Sequence, residues 1–126
     1  MEMIIGGAFQ GKAAYVRKEH PDIVFARGSS LDEKGLLEAK GVLGFQDYIR
    51  NEMQNGKNVQ DLAEKLIMHN PDLVLVSEEV GYGVVPVDAF DRAYREAVGR
   101  ICTELAAHSK KVTRVICGIG MVIKDA

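Results

Sequence analysis

A glycine-rich stretch near the start of the chain has the residue types and spacing of a phosphate-binding loop. It fits the pattern G-x-x-x-x-G-K with Gly6, Gly7, Ala8, Phe9, Gln10, Gly11 and Lys12. In such a loop the backbone N–H groups surround an anion, the next helix adds its dipole, and the lysine reaches the terminal phosphates. We therefore expect residues 6–13 to bind phosphate groups, with Lys12 as a catalytic residue.

The residue after the lysine departs from this pattern. A Ser or Thr hydroxyl normally binds Mg²⁺ there, and this chain has Ala13. Mg²⁺ keeps several water ligands and needs few from the protein, so an acid such as Glu79 or Asp47 could hold it through water. The sequence thus predicts phosphate binding, and it leaves the metal ligands unassigned.

Hydrophobic periodicity predicts strands that alternate with helices. The strands are expected at 3–6, 22–26, 73–77 and 112–118, and the helices at 12–19, 42–53, 58–69 and 88–108. Residues 27–41 are polar, and their structure is left open. Alternation of this kind predicts an α/β fold of three layers, with a mostly parallel sheet and helices on both faces.

Ligands of parallel sheets bind beyond the carboxyl ends of the strands. The loops 6–12, 77–86 and 118–121 should therefore meet at one edge of the sheet. The length of 126 residues suits one domain, so we expect residues 1–126 to form a single nucleotide-binding domain.

Composition argues against nucleic acid and membranes as partners of this chain. The net charge of −2 gives no basic field for nucleic acid, and no apolar run is long enough to span a membrane. The first residues lack the features of a signal peptide, and the two cysteines lack metal-site spacing, so we expect a cytoplasmic protein. His20, His69 and His108 lie near predicted helix ends, where capping or exposure is more common than metal binding.

A second motif makes a family resemblance specific. Residues 76–86 read V-S-E-E-V-G-Y-G-V-V-P, residues 92–100 read R-A-Y-R-E-A-V-G-R, and Gly118-Ile119 follows the last predicted strand. Together with the N-terminal loop, and in this order, these segments resemble the adenosylcobinamide kinase / adenosylcobinamide-phosphate guanylyltransferase family. The resemblance covers about the first twenty residues and nearly everything after Asp72.

The resemblance implies a P-loop α/β fold that binds ATP or GTP. It implies phosphorylation of the hydroxyl on the aminopropanol arm of adenosylcobinamide, and in bifunctional members a transfer of GMP through a covalent histidine. Glu79 matches the acid of the family motif, so a catalytic role is implied for it as well. A small homo-oligomer is a further expectation from the resemblance.

The chain also departs from the family. Gln10 and Ala13 replace serines of the loop, Glu78 replaces an asparagine, and the chain is shorter between residues 26 and 47. No histidine lies between His20 and His69, where the family should carry its GMP acceptor. The acidic residue that follows the middle strand in the family has only Asp47 as a stand-in.

Three hypotheses remain open at this stage. The chain is a kinase-only enzyme that acts on adenosylcobinamide, or a nucleotide- or corrinoid-binding relative without catalysis, or a structural remnant whose loop binds a stray anion. The guanylyltransferase step is disfavoured under all three, because its histidine is missing.

Overall fold

The structure is a computed structural model, and it describes residues 1–80 and 88–126. The strands in these ranges are β1 (Glu2–Gly6), β2 (Ala26–Arg27), β3 (Gly41–Leu43), β4 (Val74–Glu78), β5 (Lys111–Ile116) and β6 (Ile119–Asp125). The α-helices are α1 (Lys12–Glu19), α2 (Glu33–Glu38), α3 (Phe45–Gln54), α4 (Leu62–His69) and α5 (Ala89–His108), with a 3-10 turn at Gly28–Ser30.

The strands form one six-stranded sheet in the order β2-β3-β4-β1-β5-β6. β1 lies between β4 and β5 and is parallel to both, with Gly6 opposite Glu78 and Ile5 opposite Arg114. β6 returns antiparallel to β5 through a tight turn. The carboxyl ends of β1, β4 and β5 therefore meet at one edge of the sheet.

Successive strand residues point to opposite faces of the sheet. Because the central strands carry consecutive apolar residues, both faces are apolar. On one face Ile4 and Val76 pack with Val16 of α1. On the other face Met3 and Leu75 pack with the larger cluster that α2, α3, α4 and α5 cover. The predicted three-layer α/β architecture is confirmed, with one helix on the first face and the remaining helices of the described ranges on the second.

The helix prediction for 88–108 holds to within one residue, and Asp88 is its N-cap as expected. The Asp88 side chain accepts hydrogen bonds from the backbone N–H groups of Phe90 and Asp91. None of the helices in the described ranges is long and apolar enough to cross a membrane.

Two predicted elements near the sheet margin are wrong in extent. The strand expected at 22–26 is reduced to Ala26–Arg27, because β2 is the outermost strand and pairs with β3 at only two positions. The helix expected at 42–53 begins instead at Phe45. Val42 belongs to β3, and Gly44 separates strand from helix with φ at 69°. That left-handed conformation is easily adopted by glycine.

Two further corrections concern a helix start and a missed strand. The helix expected from 58 begins at Leu62, because the Asn58 side chain accepts a hydrogen bond from the Gln60 N–H in a local turn. The strand expected at 112–118 ends at Ile116. Residues 119–125 form β6, a strand that the sequence analysis did not predict and whose first residues it assigned to the loop 118–121. β6 is exposed along most of its length, so it lacks the alternating pattern of a half-buried strand.

Thr113 of β5 provides a test of this packing. Its hydroxyl oxygen is fully buried and has no hydrogen-bond partner in the described part of the chain. Thr113→Val replaces that hydroxyl by a methyl of similar size, so we expect the free energy of unfolding to rise by roughly 1 kcal/mol. Urea unfolding followed by circular dichroism measures the change.

Ser109→Ala is the matched control for this substitution. Ser109 is also buried, but its hydroxyl donates to the Leu105 carbonyl at 2.8 Å. Its loss should lower the free energy of unfolding by about 1 kcal/mol. A Thr113→Val protein that is less stable than the wild type would contradict the assignment of an unpaired hydroxyl.

Candidate functional site

The glycine-rich loop connects the end of β1 to the start of α1 at the carboxyl edge of the sheet. Gly11 is the residue before α1, and its φ of 85° requires a left-handed backbone that suits glycine. No side chain caps the helix at this position, and its first turn carries no acid. The first N–H groups of α1 therefore remain available to an anion, and the helix dipole favours negative charge there.

Lys12 folds back over the loop that it follows. Its Nζ donates a hydrogen bond to the Gly7 carbonyl oxygen at 2.6 Å. Burial lowers the pKa of Lys12 below its usual value, and the nearby carboxylates of Glu78 and Glu79 oppose that shift. The ammonium is thus partly stripped of water and lies close to two negative charges.

Gln10 fastens the loop to the turn between β5 and β6. Its backbone oxygen accepts a hydrogen bond from the Gly118 N–H, and its side-chain oxygen accepts one from the Cys117 N–H, each at 2.7 Å. The packing is close, since a Cβ on Gly11 would lie 3.2 Å from the Gly118 Cα. The structure thus brings together the loops 6–12 and 118–121, as the sequence predicted.

Glu79 lies beside the end of β1, where its backbone N–H donates to the Gly6 oxygen at 2.8 Å. Its carboxylate pairs with Arg114 of β5 through two contacts, Nε to Oε1 at 2.8 Å and Nη2 to Oε2 at 3.2 Å. The Glu79 side chain is only 14% exposed. Residues 81–86, the rest of the predicted 77–86 loop, lie outside the described part of the chain.

The loop forms one wall of a cavity of about 250 Å³. Residues of the loop and of the first turn of α1, from Phe9 to Ala14, line one side. The opposite side is formed by the turn between β3 and α3 and by the end of β4, with Gly44, Gln46 and Glu78. A group bound against the loop would therefore also face the end of β4.

Two further cavities adjoin this one. A cavity of about 330 Å³ lies between the end of β4 and α5, and both Glu78 and Glu79 line it. A polar cavity of about 240 Å³ is lined by Ala13, Gly44, Asp47, Arg17 and Arg27. Glu78 is shared by the loop cavity and the first of these, whereas Ala13, Leu43 and Gly44 are shared by the loop cavity and the second.

No cluster of three or more potential metal ligands occurs among residues 1–80 and 88–126. The three histidines all lie at helix ends that lead into strands, at the amino edge of the sheet. His20 follows α1 and contacts Glu2 at the start of β1, at 3.0 Å. His69 and His108 are the last residues of α4 and α5. The sheet therefore separates every histidine of the chain from the glycine-rich loop.

The sequence analysis missed two side chains that shape this site. Arg114 forms an ion pair with Glu79. The sequence held a signal for it, because Arg114 is a charged residue inside a predicted strand that is otherwise mostly apolar. Gln46 lines the loop cavity although it is only 8% exposed. Its position could not be read from the sequence, because the predicted helix at 42–53 had no turn at Gly44.

Comparison with known proteins gives a family match and two related sequences. The family described as cobinamide kinase / cobinamide phosphate guanyltransferase matches residues 29–123, so the match begins after the glycine-rich loop. The bifunctional adenosylcobalamin biosynthesis proteins CobU of Escherichia coli and Salmonella typhimurium are each 36% identical to this chain over 78 residues. Those residues are 62% of this chain and 43% of each relative, so the matched part is less than half of either relative.

The family match agrees with the architecture. The mostly parallel sheet, with helices on both faces, confirms the predicted P-loop NTPase-like fold class. The matched range covers more than half of the 126 residues. This chain therefore belongs to the cobinamide kinase / cobinamide phosphate guanyltransferase family.

Proposed function

We propose that this chain binds ATP or GTP at residues 6–13 and transfers the terminal phosphoryl group to the aminopropanol hydroxyl of adenosylcobinamide. Membership of the family and the names of the two relatives support a place in adenosylcobalamin biosynthesis. The observation that carries the proposal is the loop itself. An uncapped helix N-terminus and a partly buried ammonium face one cavity at the carboxyl edge of a parallel sheet.

The loop residues supply binding and charge stabilisation. The amides of the loop and of the first turn of α1 would donate to phosphate oxygens, and the ammonium of Lys12 would leave the Gly7 carbonyl for the terminal phosphate. Phosphoryl transfer depends mainly on such positioning and charge neutralisation. The ammonium of Lys12 would stabilise the negative charge of the transferred phosphoryl group.

Glu79 is proposed to orient the acceptor hydroxyl. The bidentate pair with Arg114 uses two of the acceptor positions of the carboxylate, and an ionised carboxylate has about four. The remaining positions can accept the hydroxyl proton as the oxygen attacks phosphorus and the bond to the leaving oxygen of the nucleotide breaks. The cavity between β4 and α5, which Glu79 lines, is where we place the acceptor arm.

The residues at the site fit phosphate better than they fit Mg²⁺. When bound to the nucleotide, the ion would neutralise β- and γ-phosphate oxygens. Ala13 offers it no hydroxyl, and the carboxylates of Asp47 and Glu78 line the cavities on either side of Gly44. Those two acids are the side chains that we propose would hold the ion through water.

We further propose that the guanylyltransferase step is lost. That step needs a histidine close to the phosphates, and the histidines of this chain lie at the opposite edge of the sheet. A small homo-oligomer remains a proposal taken from the family resemblance alone.

Glu78 favours a second candidate function, which is nucleotide binding without catalysis. It places an extra carboxylate on the wall of the loop cavity, where negative charge repels phosphate. If no cation lies between Glu78 and the phosphates, and Ala13 offers no hydroxyl to hold one, the metal-assisted step is lost, whereas the loop amides can still bind the nucleotide. A nucleotide- or corrinoid-binding regulatory relative is the alternative, and turnover separates it from the enzyme.

Substitution of Lys12 tests nucleotide binding at the loop. Lys12→Ala removes the charge-assisted contact, so the Kd for ATP or GTP should rise by about 10- to 100-fold. Isothermal titration calorimetry measures the Kd. Lys18→Ala is the control, because Lys18 is an exposed residue near the other end of α1. Equal affinities of the Lys12 and Lys18 variants would refute the assignment of the loop.

Turnover tests the chemistry. Wild-type protein with Mg²⁺, adenosylcobinamide and γ-labelled ATP or GTP should transfer label to the corrinoid, and α-labelled GTP should leave no label on the protein. Chromatography and autoradiography detect the two products. Tight nucleotide binding without corrinoid labelling would establish the non-catalytic alternative, and a protein–GMP adduct would overturn the loss of the second step.

A further inference from the structure

Gln46 is a buried polar side chain on the wall of the loop cavity. It lies in the first turn of α3, it is 8% exposed, and it faces the glycine-rich loop from across the cavity. It holds this place because the left-handed Gly44 turns the chain sharply between β3 and α3. A buried amide needs partners for an acceptor oxygen and for a donor nitrogen. The atom that has no partner within the protein is the one that can bind a ligand.

One end of this amide is already fixed. Its oxygen, Oε1, accepts a hydrogen bond from the backbone N–H of Glu78 at 2.9 Å. A backbone N–H can pair only with the oxygen of the amide, so the orientation of the group is settled by its partner. Nε2, which carries two donor hydrogens, makes no hydrogen bond to the described part of the chain and is left for the cavity.

We propose that Nε2 of Gln46 donates a hydrogen bond to the terminal phosphate of the bound nucleotide. This inference rests on the proposed nucleotide site. The loop amides would donate hydrogen bonds to the phosphates from one side. Lys12 and Gln46 line the same cavity of about 250 Å³. A phosphate group between them would receive the ammonium from one wall and the amide N–H from the other.

The same side chain connects the phosphate to the acids. Gln46 holds the backbone of Glu78, and the next residue, Glu79, is the proposed orienting carboxylate. A terminal phosphate on Nε2 would therefore fix the end of β4 at the moment when the acceptor must be aligned. Gln46 thus favours a triphosphate over a diphosphate, because the diphosphate lacks the group that reaches Nε2.

The test compares triphosphate and diphosphate affinity in two variants. Gln46→Glu keeps an oxygen for the Glu78 N–H and replaces the donor by an acceptor, whereas Gln46→Met removes the donor without adding charge. We expect the Kd for ATP or GTP to rise about 10-fold in each variant at pH 8, and the Kd for the matching diphosphate to change by less than about twofold. Calorimetry with each nucleotide gives the two constants.

Gln54→Glu is the control, since Gln54 is an exposed residue at the far end of α3 and receives the same charge change. It should leave the triphosphate-to-diphosphate affinity ratio at the wild-type value. An unchanged ratio in both Gln46 variants would overturn the inference while the nucleotide site stands. Failure of the wild-type protein to bind either nucleotide would overturn the proposed function, and this inference with it.

Discussion

Parallel pairing of β1 with both β4 and β5 is the constraint on which the candidate site depends. Because the three strands run in the same direction, the segments that follow them lie at one edge of the sheet. These segments are the glycine-rich loop after β1, Glu78 and Glu79 at the end of β4, and the turn between β5 and β6. Gly6 lies opposite Glu78 in the register, and the ladder extends to the bond between the Glu79 N–H and the Gly6 oxygen. A shift of one residue would turn every side chain of the strand to the other face of the sheet.

The site is then held by polar groups that fix one another. Arg114 positions Glu79, the Gln10 side chain receives the N–H of Cys117, and Gln46 receives the N–H of Glu78. Each contact joins segments that are distant in the sequence and gives a charged or polar group a fixed partner. Gln10, which departs from the serine of the family motif, has a structural use here because a serine is too short to span the same gap while its backbone stays on the loop.

The sequence predicts those parts of the fold whose signals are local. The strand and helix that flank the glycine-rich loop, the buried strand β4 and the long helix α5 each bury an apolar stripe or run, and their limits were close to correct. Elements at the sheet margin were poorly predicted. β2 pairs at two positions, and β6 is exposed, so neither carries the period of a buried element. The contact of Gln10 with Cys117 and the contact of Gln46 with Glu78 join segments that are far apart in the sequence. A pattern within one segment therefore cannot predict them.

The electrostatics of Lys12 give a physical reason for the proposed binding of an anion at this loop. Burial lowers the pKa of its ammonium, which means that the folded protein solvates this charge less well than water does. The Gly7 carbonyl, together with the carboxylates of Glu78 and Glu79, offsets part of that cost. A phosphate placed against the loop would add a further negative charge close to the ammonium, and the fixed amides would need no reorganisation to receive it. The folded chain already holds this cation partly out of water, so an anion bound at the proposed site would gain more from pairing with Lys12 than from pairing with an exposed lysine.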